Sequence, residues 1–301
     1  MRDSSVQWRD LVVLTRREVA MELCLPLPWL LAATMAGAAG HRGWVISTTL
    51  VMFMMSLRIT HNAFHRNLGI SRRAGDLVMF ALSVLLGGAM HAIEFTHLRH
   101  HRNCLADDDV EGHIAHLGFL SAVVHSPIYP LQIHWVAMRQ ASARQKRWIA
   151  LELTAVVLLH AAIWLGDSGT LKLMAMSLYF ANASAPLVGI WAVHRSCEQG
   201  RFRARTSRSI LLNALTVNLF NHLEHHLYPA VPTCHLPALA RRLDTHWQGH
   251  EPPPDVLECF GTRHLRASAA AIPVQPTPGQ SVAHAEPFKA TLNKWRNRRA
   301  S

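Results

Sequence analysis

The stretch NHLEHHLYPAVP, residues 221–232, places His222, His225, His226 and Glu224 within five positions, directly after an apolar run. On a helix, positions i, i+3 and i+4 share one face, so all three imidazoles point the same way. Such a face either holds metal or forms an interfacial polar patch. The remainder of the chain decides between them.

Composition narrows the class. Half of the 301 residues are hydrophobic and 16% are charged, against roughly 25% charged in an average soluble domain. The apolar residues come in blocks, which points to a membrane protein. Five cysteines, Cys24, Cys104, Cys197, Cys234 and Cys259, are scattered and odd in number. They suit a reducing compartment and neither a disulfide framework nor a thiolate zinc site. The net charge of +11 sits beside the apolar blocks, at Arg9, Arg16, Arg17, Arg66, Arg72, Arg73, Arg195, Arg201, Arg203 and Arg205. That placement fits cytoplasmic loops beside anionic lipid rather than nucleic acid.

The blocks predict an all-α integral membrane fold with four transmembrane helices in two hairpins, plus interfacial helices and a cytosolic histidine-rich cap. Residues 1–22 read as an interfacial amphipathic helix. The membrane domain covers 23–246, with spans over 23–40, 44–60, 148–165 and 171–193. Residues 77–95 are apolar enough to cross. They must instead dip in or lie buried if the histidines on either side share one face. Residues 114–135, interrupted by Pro127 and Pro130, read as interfacial. From 247 to 301 the chain becomes proline-containing and basic, which predicts a loosely ordered cytosolic tail. Four spans put both termini and all histidine clusters on the cytosolic side of the cytoplasmic membrane.

Two further clusters match the first: His61-Asn62-Ala63-Phe64-His65, and His97-Leu98-Arg99-His100-His101. Each lies at the end of an apolar block. A lone HxxxH is more often a hydrogen-bonded pair than a ligand pair, but three such clusters argue for one shared site. Eight nitrogens exceed the four of one zinc site and suit two metals with positions left open.

HNAFH, HLRHH and NHLEHHLYP, in that order among membrane hairpins, resemble the three histidine boxes of the membrane fatty acid desaturase superfamily. The HxEHHLYPxVP form resembles acyl-chain desaturases in particular. The resemblance covers about residues 40–240. It implies a non-haem di-iron centre, two iron ions with O2 as co-substrate, on the cytosolic face. It also implies a fatty acyl lipid substrate and a separate electron donor of ferredoxin, rubredoxin or cytochrome b5 type. Carried over, His61, His65, His97, His100, His101, His222, His225 and His226 are the iron ligands.

A further ligand is open at this stage. Relatives often carry Glu-His where this chain has Glu198-Gln199, so Gln199, His194 and Asn218 compete. Asn218 lies four residues before His222, so a continuous helix puts it on the same face, and it is expected next to the metals through a bound water. His194 would reach the metals only if the chain bends before Cys197. Glu224, Asp107, Asp108, Asp109 and Glu111 are candidates for orienting metal-bound imidazoles, and His91 for a supporting or packing role. Met52, Met54, Met55, Met79 and Phe180 are candidates for lining an acyl tunnel. The expected function is introduction of a double bond into a fatty acyl chain. A hydroxylase, ketolase or decarboxylase with the same site is the alternative, and a non-enzymatic metal-binding membrane protein is the third reading. The last would be expected to carry more ionisable residues within its spans.

Overall fold

The computed structural model describes residues 6–247 and 252–260, and among these the chain is all-helical with no strand. Thr15 starts helix α1, Arg16–Cys24, through a reciprocal capping box with Glu18. Pro26 opens α2, Leu27–Ala38, and a turn through Gly40 (φ +76°) leads into α3, Arg42–Phe64. Further on come α4, Arg72–Leu86, and α5, Met90–Asn103. The short α6, Phe119–His125, and α7, Tyr129–Gln140, precede α8, Ala143–Leu165, which begins at a second capping box made by Ser142 and Gln145. Helix α9, Gly169–Pro186, runs through a π-turn, Leu187–Trp191, into α10, Ala192–His194. The last helices are α11, Ile210–Leu215, α12, His222–Leu227, and α13, Leu236–His246.

Four stretches are long and apolar enough to cross a bilayer: Arg16–Ala38, Arg42–Phe64, Ala143–Leu165 and Gly169–His194. Each starts or ends a few residues from where the apolar pattern alone put it. Charged ends extend a helix as readily as apolar residues do once its backbone is paired. The apolar stretch 77–95 is two helices, α4 and α5, bent by 110° at their junction. Gly87 makes the bend possible: its φ of +80° closes α4 in a left-handed cap, with the Gly87 and Gly88 amides both donating to the Ser83 carbonyl. The second histidine box therefore turns back to join the first.

The central core fills the space among α3, α4 and α9 with Met52, Phe53, Ile59, Met79, Leu82 and Leu178. Met52 and Met79 are wholly buried packing residues, whereas Phe180 is 67% exposed on the outer surface of α9. Phe180 thus lines no internal tunnel. A second core packs Leu223 and Tyr228 of the third box against Leu11, Leu239 and Trp247.

The N-terminal segment differs from the interfacial helix expected over 1–22. Among the described residues a 3-10 turn spans Arg9–Leu11 and α-helix begins at Arg16, and the residues before it clamp onto the chain after the third box. Leu11 is buried there, its carbonyl accepts from His235 Nδ1, and Asp10 pairs with Arg242. The expected tail from 247 falls outside the described residues from 261 onward. Residues 252–260, by contrast, are docked, with Val256 N–H donating to the Thr206 carbonyl and Thr206 N–H to that of Pro254.

Candidate metal centre

Helix ends converge to make the centre. The last turn of α3 carries His61, with His65 as the residue that caps it. The second half of α5 carries His97, His100 and His101, and α12 carries His222, His225 and His226. Cross-links hold these elements in register. Asn62, inside the first box, donates to Glu22 and accepts from both the backbone and hydroxyl of Thr233. Asn67 donates to the Pro229 carbonyl at 2.7 Å. The first box is thereby fastened to the chain just after the third.

All eight histidines expected from the three clusters meet at this point, in two sets. His61, His65, His97 and His225 form one, and His100, His194, His222 and His226 the other; within each set the donor atoms lie within 4.8 Å of one another. His101 joins the first, its Nε2 lying 3.2 Å from His97 Nε2 and 2.8 Å from His225 Nε2. The second and third boxes each contribute to both sets, whereas the first box serves one alone.

His194 is the ninth imidazole. Its Nε2 lies 3.1 Å from His100 Nε2 and 2.8 Å from His222 Nε2. The condition for this was a bend before Cys197, and the chain supplies it. Helix ends at His194, Arg195 leaves it with ψ 126°, and Ser196 takes φ +59°. The π-turn aims the ring. Pro186 has no N–H and crowds the preceding turn, and the wide turn that follows adds a residue to the helix. His194 is rotated from where regular periodicity would put it. Its Nδ1 then donates to the Arg203 carbonyl at 2.7 Å.

Gln199 is exposed. Asn218 does not share a helix with His222: α11 stops at Leu215, and α12 starts only at His222. Between them Asn218 has φ +69°, and its carbonyl accepts from Asn221 N–H. It is a turn residue, and asparagine is among the few non-glycine residues that adopt this conformation readily.

Among the acids, Asp109 and Glu111 orient imidazoles. His100 Nδ1 donates to Asp109 Oδ2 at 2.7 Å, and His97 Nδ1 to Glu111 Oε2 at 3.1 Å, with Thr96 Oγ1 holding the other Glu111 oxygen at 2.7 Å. Burial alone would raise the Asp109 carboxyl, but the hydrogen bond and charge of His100 hold it below the usual carboxylate range. Asp108 instead pairs with Arg99, and the fully buried Glu224 with Arg208 and Thr206. Those two carboxylates serve cations and a hydroxyl rather than the rings. Asp107 is exposed.

Proton positions decide whether a metal suits these rings. With its Nδ1–H given to the Arg203 carbonyl, the neutral His194 ring turns a bare Nε2 toward His100 Nε2 at 3.1 Å, whereas, against burial, the Asp109 carboxylate holds His100 well above the ordinary histidine range. The same set holds two more close nitrogen pairs, His194–His222 and His222–His226, the latter at 3.1 Å. One added proton would bridge one contact and leave the others as opposed lone pairs. A cation among them satisfies all. His61 makes the same point, since both its ring nitrogens are buried without a hydrogen-bond partner. Leaving a buried polar atom unpaired costs about 1–3 kcal/mol. Burial also pushes His222, His225 and His226 well below the ordinary histidine range, which keeps them neutral and able to coordinate. Metal–imidazole bonds of about 2.1 Å put neighbouring donors about 3.0 Å apart at right angles and about 3.4 Å apart in a tetrahedron. The close pairs here, from 2.8 to 3.2 Å, lie near the shorter of these separations.

The family model for fatty acid desaturases matches residues 39–256, most of the chain and every element of this centre. The chain belongs to the fatty acid desaturase family. No curated protein matches it. As a desaturase-family oxidoreductase it carries the three boxes in order and adds His194 from outside them. A box-based reading reaches His194 only by the π-turn and the bend, which leave no regular spacing to count.

Proposed function

We propose that this protein is a membrane-bound, O2-dependent non-haem di-iron oxidoreductase that introduces a double bond into a fatty acyl chain. The observation that carries this reading is the pair of facing imidazole sets, nine buried or half-buried rings whose bare nitrogens converge on two points. In this reading His61, His65, His97, His101 and His225 hold one iron, and His100, His194, His222 and His226 the other. Bound there, the irons would activate dioxygen into an oxidant strong enough for an unactivated C–H bond.

The chain's own residues do the rest. Asp109 and Glu111 fix the tautomers of His100 and His97 so that Nε2 faces inward. The Arg203 carbonyl does the same for His194. In this reading the four apolar helices keep the site in lipid, where the acyl chain is, with the histidine end at the cytosolic surface. A separate carrier brings electrons, and the basic loops suit an acidic one.

The test is reconstitution. Protein purified into lipid nanodiscs should hold two irons per chain by elemental analysis. Supplied with a reduced ferredoxin and O2, it should yield acyl chains lighter by two hydrogens in mass spectrometry. Chains heavier by one oxygen would make it a hydroxylase instead. Metal-free protein with no lipid product would refute the reading altogether.

A further inference from the structure

The first box ends on a residue that local backbone preference would not choose. Helix α3 closes in a Schellman turn, with Arg66 N–H donating to the Ala63 carbonyl at 3.0 Å and Asn67 N–H to that of Asn62 at 2.8 Å. The residue after the cap takes φ +60° there, the left-handed position that glycine fills most readily, and in this chain it is Arg66. A glycine stands instead at position 75, in the first turn of α4, where alanine would suit the helix better. A Cβ at Gly75 would lie 3.2 Å from Arg66 Nη1, so its absence gives the guanidinium room against the helix. Two departures from local preference meet at one contact, and the contact accounts for both.

That contact is a fork with two buried ends. Arg66 Nη1 donates to Asp76 Oδ1 on α4 at 2.8 Å, and Nη2 to Glu94 Oε1 on α5 at 2.6 Å. Both carboxylates are buried. Asp76 has a second cation in Arg144, at 2.6 Å, whereas Arg66 is the hydrogen-bond partner of Glu94 among the described residues. Glu94 lies three residues before His97, and Arg66 directly follows His65. The fork therefore ties the backbone beside one ligand to the helical turn that carries another, and the Nε2 atoms of those two ligands are 3.1 Å apart. His65 needs such a tie. As the cap of α3, it is the only one of the nine imidazoles outside a helix. His97, His100 and His194 each give Nδ1 to an acceptor, but among the described residues no hydrogen bond holds Nδ1 of His65.

We propose that Arg66 is a positioning residue for the first iron and acts through His65: its guanidinium, locked on Asp76 and Glu94, fixes the turn that aims the His65 ring at His97. The competing account is that the fork only packs α4 and α5 together, with the Schellman turn aiming His65 unaided. Glycine at position 66 would keep that turn, being at home at φ +60°, and would lose the fork, so it separates the two accounts. Losing the fork alone would leave Glu94 buried and unpaired, which destabilises by itself. Glu94→Gln in the same chain removes that charge. The inference rests on the two-iron reading and adds the device that holds one of its ligands in place.

Iron affinity, site by site, is the measurement. The full chain in nanodiscs is stripped of metal and titrated with iron(II), and Mössbauer spectra follow each site. His61→Ala and His194→Ala mark the first and the second. Arg66→Gly with Glu94→Gln should weaken the first site about tenfold, the low end for a group that supports a metal ligand, and leave the second unchanged. The metal-free protein should melt close to wild type. Added to His65→Ala, the same pair of changes should cost no further affinity, because the ring through which Arg66 acts is gone. Arg66→Lys, which keeps the charge but serves one carboxylate at a time, should fall between wild type and the double variant, and it tests the same point if the double variant does not fold. A further loss in the His65→Ala background, or equal weakening of both sites, would make the fork structural and overturn the inference. First-site affinity equal to wild type would overturn it alone, whereas wild-type protein that takes up no iron would sink the two-iron reading and this inference together.

Discussion

At the scale of single residues, the centre depends on which hydrogen bonds fix each imidazole. Asp109 and Asp108 are adjacent in sequence, yet Asp109 holds His100 while Asp108 pairs with Arg99. Asp109→Asn should lower iron content and turnover by about 10–100-fold, the usual effect of removing the partner of a metal-bound histidine. Asp108→Asn should stay within about twofold on both. Iron analysis beside product assay separates them, and equal losses would show that proximity to the second box matters more than the bond. A second contrast concerns the ninth ring. His194→Ala should reduce bound iron from two toward one, and Gln199→Ala, exposed as it is, should leave iron unchanged.

The element scale adds the devices that turn regular helices into a site. The π-turn Leu187–Trp191 inserts a residue before His194. Deleting Gly189 should restore a regular helix, rotate His194 by about 100°, and release the iron of the second set. The first set should keep its metal, because none of its ligands lies on this helix. Loss of both irons would mean that the deletion unfolds the bundle rather than re-aiming one ring. The turn at Asn218 offers a milder test. Its φ of +69° is open to glycine and closed to branched side chains. Asn218→Gly should therefore retain iron and activity, and Asn218→Val should lose stability by roughly 1–3 kcal/mol. A thermal melt in detergent that ranked the two variants the other way would give Asn218 a side-chain role after all.

For the whole molecule the prediction concerns orientation, with the histidine end of the four apolar helices expected in the cytosol. Ser71 begins α4 beside the histidine end, and Ser168 begins α9 just after the far end of α8; both are exposed. In a background freed of the five native cysteines, an impermeant thiol reagent added to intact cells should label Ser168→Cys and spare Ser71→Cys. The reverse pattern would invert the assigned topology and, with it, the side from which electrons arrive.

How much of this was legible in the sequence follows from the range of each interaction. Apolar blocks and i, i+3, i+4 histidine spacing are local, so the chain by itself determined an all-helical membrane protein and eight of the nine convergent imidazoles. Long-range contact decided the rest. Asp109 and Glu111 were two among several acids near the second box until folding brought two of them onto rings. His194 is 28 residues from the nitrogen it most closely faces, and its direction depends on a π-turn that regular periodicity cannot register. The expected helix through Asn218 and His222 does not form, because the backbone turns left-handed at Asn218 itself and four residues of separation imply a shared face only on an unbroken helix. Neither the division of nine rings into two sets nor the fork from Arg66 to α4 and α5 has a sequence signature. Both arise where helix ends meet, and only packing sets that meeting.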